Sequence, residues 1–146
     1  MPAYVEALVQ EIAYTGELAR QLGLRLETVY FGGGTPTTLT AEQLARLLAA
    51  VEQSFDLSTV REYTVEAGRP DCTDAEKLRI IKKYGATRIS INPQTFSDQV
   101  LQNIGRRHTA QDIIDCFAAA RAAGHKNINM DLIAGLPGDT VPFSKR

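Results

Sequence analysis

Residues 28–36 spell Thr-Val-Tyr-Phe-Gly-Gly-Gly-Thr-Pro, a short apolar run that ends at three consecutive glycines. β-Branched and aromatic residues favour a strand, and the glycines let a backbone approach a ligand that a side chain would keep away. A glycine-rich loop after a strand can hold a phosphate. However, no lysine follows as in a P-loop, and the dinucleotide-binding spacing is absent. From these residues alone, a ligand-binding loop and a plain tight turn are equally good interpretations.

Strands and helices alternate along the whole chain around this loop. Apolar periodicity predicts a first helix over about 2–23 and further helices between the strands. Capping-box patterns predict helix starts at Thr40, with Gln43, and at Thr73, with Glu76, and Thr109 caps a later helix. The expected strands cover about 26–31, 61–66, 87–92 and 126–133. This succession predicts an α/β fold with about four parallel strands and flanking helices. Four strands cannot close a barrel, so we expect an open sheet.

Each expected strand alternates polar and apolar residues. In the fourth strand, Asn127, Asn129 and Asp131 share one face, and Ile128 and Met130 share the other. Buried parallel strands usually consist of continuous apolar runs, so the polar face needs a partner. A barrel-type sheet around a ligand supplies one. An antiparallel sheet with one face in water is the alternative, but the helical connections argue against it.

Polar side chains gather where the expected strands end. They are Glu66, Asn92, Gln94 and Asp131, next to the glycine loop. Parallel α/β folds place their sites at the carboxyl ends of the strands. Considered singly, each of the carboxylates Glu66 and Asp131 has two interpretations. It either contacts a ligand or acts as a general base, or it is a structural carboxylate held by hydrogen bonds.

Two further groups have a functional and a structural interpretation. The run Arg106-Arg107-His108 can bind a carboxylate through charge-assisted hydrogen bonds. Alternatively, it forms a solvated helix end, where positive side chains interact favourably with the helix dipole. Taken alone, the run fits the solvated helix end better. Cys72 and Cys116 have no metal-ligand spacing, and Cys116 lies on an amphipathic helix and is expected in the core. The chain therefore offers no predicted catalytic residue and no predicted metal ligand.

Composition limits the function classes. The chain has 146 residues, enough for one domain, with 16 basic and 17 acidic residues and a net charge of −1. This balance argues against nucleic acid and anionic membranes as partners. No apolar run is long enough to span a membrane, and no signal peptide is visible. Two cysteines without an export signal predict free thiols and a cytoplasmic protein.

Six segments in order resemble a known family. They are YVEALVQEI from Tyr4, YFGGGTPTTL from Tyr30, TVE from Thr64, RISINPQTF from Arg88, IGRRHT from Ile104 and NMDLIAGLPGDT from Asn129. Together they resemble the radical S-adenosylmethionine (SAM) enzymes of the oxygen-independent coproporphyrinogen III oxidase group. The segments EAGRPD and SINPQTF are most similar to the HemZ-type coproporphyrinogen dehydrogenases.

The resemblance implies a partial radical-SAM (β/α)6 barrel and a reaction in porphyrin and heme biosynthesis. In the family, a 4Fe–4S cluster and an electron from a donor protein cleave SAM to a deoxyadenosyl radical, which leads to oxidative decarboxylation of coproporphyrinogen III to protoporphyrinogen IX. The cofactor carries this chemistry, and the protein supplies position and shielding. By resemblance, seven residues contact SAM, of which some members of the family bind two copies, and the resemblance does not assign the residues to one copy or the other. They are Gly33, Gly34, Thr35, Glu66, Gln94, Arg106 and Asp131.

Two features depart from the family pattern. The CxxxCxxC loop that holds the cluster is absent, and Cys72 and Cys116 cannot replace three closely spaced thiolates. The closing strand is also absent, and residues 141–146 do not resemble the family's helix. We therefore expect an internal fragment of a longer enzyme, with a partial core barrel over 1–140, an unmatched tail over 141–146, and no radical activity of its own.

Three alternatives remain open at this stage. The related heme chaperones share the GGGTP turn and the barrel, but they carry heme instead of oxidising a porphyrinogen. A non-catalytic domain that binds SAM or a partner without a cluster is a second alternative. A radical enzyme with another substrate is the third, because substrate contacts would lie mostly outside this segment.

Overall fold

The computed structural model describes residues 2–140, and the tail predicted over 141–146 lies outside the described residues. Helices and strands alternate in the order α1 Pro2–Gln21, β1 Thr28–Phe31, α2 Ala41–Ser54, β2 Glu62–Glu66, α3 Ala75–Lys83, β3 Arg88–Gln94, α4 Asp98–Asn103, α5 Ala110–Ala122 and β4 Asn127–Leu132. Short 3-10 turns at Pro36–Thr38 and Pro70–Cys72 follow β1 and β2.

The four strands form one parallel sheet in the order β1-β2-β3-β4. Consecutive strands lie side by side because each is joined to the next through a helix, the connection that parallel strands require. Within residues 2–140 the sheet is open, with β1 and β4 at its edges. The predicted α/β fold with four parallel strands is therefore confirmed.

The core lies between the helices and the apolar face of the sheet. On the sheet side, Val65 and Ile89 are fully buried. On the helix side, the predicted apolar stripe of α2 is buried at Leu44 and Leu48, and Leu78 of α3 is fully buried. Burying one such side chain stabilises the fold by roughly 1.5–3 kcal/mol. Because the apolar strand residues pack against the helices, the polar strand residues lie on the opposite face of the sheet.

Helix starts confirm two predicted caps and correct a third. Thr40 and Thr109 cap α2 and α5 in full capping boxes. The predicted box of Thr73 with Glu76 is wrong, because Asp74 is the N-cap of α3 and accepts a hydrogen bond from the Lys77 N–H at 2.8 Å. Aspartate caps a helix as well as threonine does, which leaves the Thr73 hydroxyl available for a buried role.

Strand β3 runs two residues beyond the end predicted from the sequence. It continues through Pro93 to Gln94, with a register irregularity between Ile91 and Gln94 against β4. Gln94 has a φ of 70°, a left-handed conformation that non-glycine residues rarely adopt. Proline is tolerated in a strand at such a bulge, and the Gln94 carbonyl still accepts a bond from the Ile133 N–H at 2.8 Å.

The remaining structural expectations concern cysteines and membranes. Cys72 and Cys116 are free thiols, and Cys116 is buried in the core as predicted. Burial raises the pKa of the Cys116 thiol from 9.0 to about 11. None of the helices within residues 2–140 combines the length and the apolar character needed to cross a membrane.

Candidate functional site

A polar cavity of about 180 Å³ opens at the carboxyl ends of β1, β2 and β3. Its lining consists of Gly33, Gly34, Thr35, Glu66, Gly68, Arg69, Asn92 and Arg106. Five of the seven residues predicted to contact a ligand lie in this lining, although they come from three separate parts of the chain. The two others, Gln94 and Asp131, do not line it.

The glycine loop leaves space at the cavity. A Cβ added to Gly33 or Gly34 would meet no other atom within 4 Å, so both positions face open volume. Gly33 also has a φ of 103°, a conformation that strains any residue with a side chain. The loop is followed by a 3-10 turn in which the Thr38 hydroxyl donates to the Thr35 carbonyl at 2.7 Å. This geometry leaves room for a ligand beside the loop, as the interpretation as a ligand-binding loop requires.

Glu66 is held at the end of β2 by Tyr30. The Tyr30 hydroxyl donates a hydrogen bond to Glu66 Oε1, and this bond raises the pKa of Tyr30 above its ordinary value. A Cβ at Gly32 would lie 2.3 Å from the Tyr30 ring and 3.2 Å from the Glu66 carboxyl carbon. Glycine at position 32 is therefore needed for Tyr30 to reach across to Glu66.

A buried cluster joins the two loops that carry the cavity walls; we call Thr37, Thr73 and Lys77 the loop clamp. Lys77 Nζ donates to the Thr37 and Cys72 carbonyls, each at 2.8 Å. The Thr73 hydroxyl lies 3.0 Å from Thr37 Oγ1 and 2.9 Å from the Arg69 carbonyl. Thr37 is fully buried, and the Lys77 side chain is 13% exposed. The clamp fixes the distance between the glycine loop and the loop after β2.

Arg106 reaches the cavity from the turn after α4. Its N–H donates to the Leu101 carbonyl at 2.8 Å, which ends the helix and turns the chain. His108, two residues on, is only 3% exposed. The interpretation of this run as a solvated helix end is therefore wrong for His108, which the turn brings into the interior. Arg106 is half-buried and lines the cavity.

Asp131 and Gln94 lie beyond the cavity lining, and a chain of hydrogen bonds connects Asp131 to it. The Asn129 amide donates to Asp131 Oδ1 at 2.6 Å and to Ser90 Oγ at 3.1 Å. Ser90 Oγ in turn donates to Asn92 Oδ1 at 2.9 Å. The polar residues Ser90 and Asn92 of β3 and Asn129 and Asp131 of β4 thus form one connected network that ends at the cavity through Asn92.

Three lining residues were not among the predicted contacts: Gly68, Arg69 and Asn92. Asn92 carried a signal, because it already stood among the polar residues at the strand ends. Gly68 and Arg69 follow β2 in a loop, and their position depends on the loop clamp. A Cβ at Gly68 would lie 3.3 Å from the Asn92 side-chain amide nitrogen. Glycine at position 68 therefore leaves room for the Asn92 side chain at the cavity.

The described residues offer no ligand set for an iron–sulfur cluster. Among residues 2–140 no group of three or more histidine, cysteine, aspartate or glutamate side chains is placed to hold a metal ion. Cys116 lies on the buried face of α5, and Cys72 ends a 3-10 turn. The donor set therefore does not fit a cluster, which needs three or four thiolates.

A parallel α/β sheet with a polar cavity at its carboxyl edge is the arrangement in which folds of the β/α type place their sites. Residues 2–141 match the family described as the Radical SAM superfamily, and the chain belongs to this family. Members of the family use SAM together with a 4Fe–4S cluster.

Two groups of relatives, the HemZ-like and the HemW proteins, are among those most similar to the chain. The chain is 45% identical over 140 residues to the oxygen-independent coproporphyrinogen-III oxidase-like protein HemZ of Bacillus subtilis, covering 95% of the chain and 28% of that relative. It is 44% identical over 142 residues to the heme chaperone HemW of the same organism, covering 94% of the chain and 36% of that relative. The two groups are equally close to the chain.

The fold is also similar to a solved structure, the coproporphyrinogen III oxidase HemN from Escherichia coli. The TM-score is 0.84 at 29% identity, and the match covers 98% of the chain and 32% of that structure. The chain thus spans about a third of the length of the relatives it matches.

Proposed function

We propose that this chain forms part of a radical SAM protein and that the cavity at the strand ends binds SAM. The observation that carries this proposal is the convergence of Gly33, Gly34, Thr35, Glu66 and Arg106 on one cavity. These residues come from three loops, and the family resemblance makes each of them a contact to SAM.

The charges of the cavity complement the methionine part of SAM. The Glu66 carboxylate suits the α-ammonium group, and the Arg106 guanidinium suits the α-carboxylate, each through charge-assisted hydrogen bonds. The open side of Gly33 and Gly34 gives the ligand room beside the backbone. Asp131 and Gln94 stay in the proposal as contacts to a more distant part of the ligand, along the polar sheet face.

The chain's own residues bind and orient the cofactor, and the cluster would have to be held by residues outside this sequence. When a reduced 4Fe–4S cluster is present, SAM supplies hydrogen-atom abstraction in this family. Here Tyr30 orients Glu66 and the loop clamp sets the distance between the cavity walls. We assign no catalytic proton transfer to any residue of this chain.

The proposed reaction is the oxidative decarboxylation of coproporphyrinogen III to protoporphyrinogen IX, with an electron-donor protein as partner. The similarity to HemZ and to the HemN structure supports it. A heme-carrying function is the second candidate, favoured by the 44% identity to HemW. A domain that binds SAM or a partner without catalysis is a weaker third candidate.

SAM binding is tested by isothermal calorimetry on the longest form that the gene encodes. Glu66→Ala removes a charged acceptor, so we expect a loss of about 1.5–3 kcal/mol, or roughly a tenfold to hundredfold weaker Kd. Glu76→Ala, an exposed carboxylate on α3 outside the cavity, is the matched control. Unchanged affinity in Glu66→Ala rejects the contact, and Asp131→Ala is judged in the same way.

The two main candidates differ in what happens to the tetrapyrrole. Anaerobic incubation with coproporphyrinogen III, SAM and a reductant yields protoporphyrinogen IX if the enzyme function is right. Stable heme binding without turnover supports the chaperone function instead. A protein that binds SAM but neither converts coproporphyrinogen III nor binds heme supports the third candidate, a non-catalytic domain.

A further inference from the structure

The cavity carries more positive than negative charge. Among its lining residues, Arg69 and Arg106 each bring a guanidinium group, and Glu66 brings a carboxylate. The ion pairs found within residues 2–140 all involve other basic side chains. Neither arginine is therefore neutralised by a carboxylate of the described chain.

The position of Arg69 at the cavity is fixed by its backbone. Arg69 directly precedes the 3-10 turn Pro70–Cys72, and its carbonyl accepts a bond from the Cys72 N–H at 3.1 Å. The same carbonyl accepts the Thr73 hydroxyl of the loop clamp at 2.9 Å. Two hydrogen bonds on one carbonyl hold the residue beside the cavity, even though its side chain is exposed to solvent.

One SAM molecule held by Glu66 and Arg106 would leave Arg69 without a partner. SAM carries one carboxylate, one ammonium and one sulfonium group, so its own charge is positive. If Arg106 binds that carboxylate and Glu66 the ammonium, Arg69 remains without a counter-charge beside a cationic ligand. Like charges repel one another, so the occupied site favours a second anion near Arg69.

We propose that Arg69 binds a propionate carboxylate of the tetrapyrrole that this protein acts on or carries. The inference rests on the proposed function, under which both ligands considered, coproporphyrinogen III and heme, carry propionate groups. The planar guanidinium presents paired donors that match a carboxylate. Arg69 would thus orient the tetrapyrrole toward the cofactor and discriminate against ligands without a carboxylate.

The test compares Arg69→Gln and Arg69→Lys with Arg79→Gln, an exposed arginine of α3 that does not line the cavity. Each variant is made in the longest form that the gene encodes, and circular dichroism verifies its fold. Fluorescence and absorbance titrations give the Kd for coproporphyrin III, its tetramethyl ester and hemin. Calorimetry gives the Kd for SAM.

We expect Arg69→Gln to weaken coproporphyrin III binding at least tenfold, equivalent to about 1.4 kcal/mol, and to change the SAM Kd by less than about twofold. Arg69→Lys should restore only part of the affinity, because an ammonium group keeps the charge but not the paired donors. The ester should bind the unaltered protein and Arg69→Gln equally. If Arg69→Gln weakens the binding of hemin alone, the result supports the same contact and identifies heme as the tetrapyrrole that Arg69 binds.

Two results overturn the assignment. Unchanged binding of both tetrapyrroles in Arg69→Gln shows that the side chain makes no such contact. An equal loss of SAM affinity assigns Arg69 to the cofactor instead. Failure of the unaltered protein to bind SAM refutes the proposed function separately, because the tetrapyrrole titrations of Arg69→Gln do not depend on it.

Discussion

Lys77 of the loop clamp offers the sharpest test of how the cavity is built. Its ammonium group donates to the Thr37 and Cys72 carbonyls at 2.8 Å each. Its contact with Asp74 is longer, 3.8 Å, and that carboxylate is 59% exposed. The two carbonyl bonds should therefore dominate, since exposed ion pairs contribute little. Lys77→Met keeps most of the apolar stem and removes only these bonds.

The expected loss follows from those two bonds. Hydrogen bonds to charged groups contribute about 1.5–3 kcal/mol each, but the 13% exposure of the side chain lets water replace part of them. We expect the free energy of unfolding to fall by about 2 kcal/mol. With a urea m-value of about 2 kcal/mol/M, the midpoint falls by about 1 M.

Urea denaturation followed by circular dichroism measures this shift, and calorimetry measures the Kd for SAM on the same samples. Lys82→Met, an exposed lysine of the same helix, should change stability by less than about 0.5 kcal/mol. Because the clamp joins both cavity walls, Lys77→Met should also weaken SAM binding, whereas Lys82→Met should not. A Lys77→Met protein with the stability and affinity of the unaltered one would refute the clamp.

Three further predictions concern the glycine loop and two buried side chains. Gly33→Val should weaken SAM binding at least about tenfold by calorimetry, because it fills open space and strains a φ of 103°. Gly23→Val has a comparable φ of 66° away from the cavity and should leave the affinity unchanged. The raised pKa of Cys116, about 11 against 9.0, should make unfolding stability fall between pH 9 and pH 11, by up to about 1.4 kcal/mol per pH unit; Cys116→Ala should remove that slope in urea titrations. Tyr63→Phe should be neutral or stabilising in thermal melts, because the buried Tyr63 hydroxyl has no partner within the described chain; a loss above about 1 kcal/mol would contradict this.

The alternation of elements was predictable because it depends on local periodicity. The apolar stripe of α2 and the caps at Thr40 and Thr109 are encoded within a few residues of each other. The alternation along β4 likewise predicted a polar sheet face, which the bonds from Asn129 to Ser90 and Asp131 confirm. The error at Thr73 arose because two adjacent residues could each cap α3, and only a tertiary contact with Thr37 decided between them.

Sequence by itself determined the order of the elements, the parallel open sheet and the candidates at the strand ends, because hydrophobic period, caps and glycine turns are local properties. The tertiary structure alone decided which candidates meet. It brought Arg69 and Asn92 to the cavity and left Gln94 and Asp131 outside its lining. The physical reason is that the bulge in β3 and the loop clamp set distances between residues far apart in the chain, and such distances have no signature in local sequence.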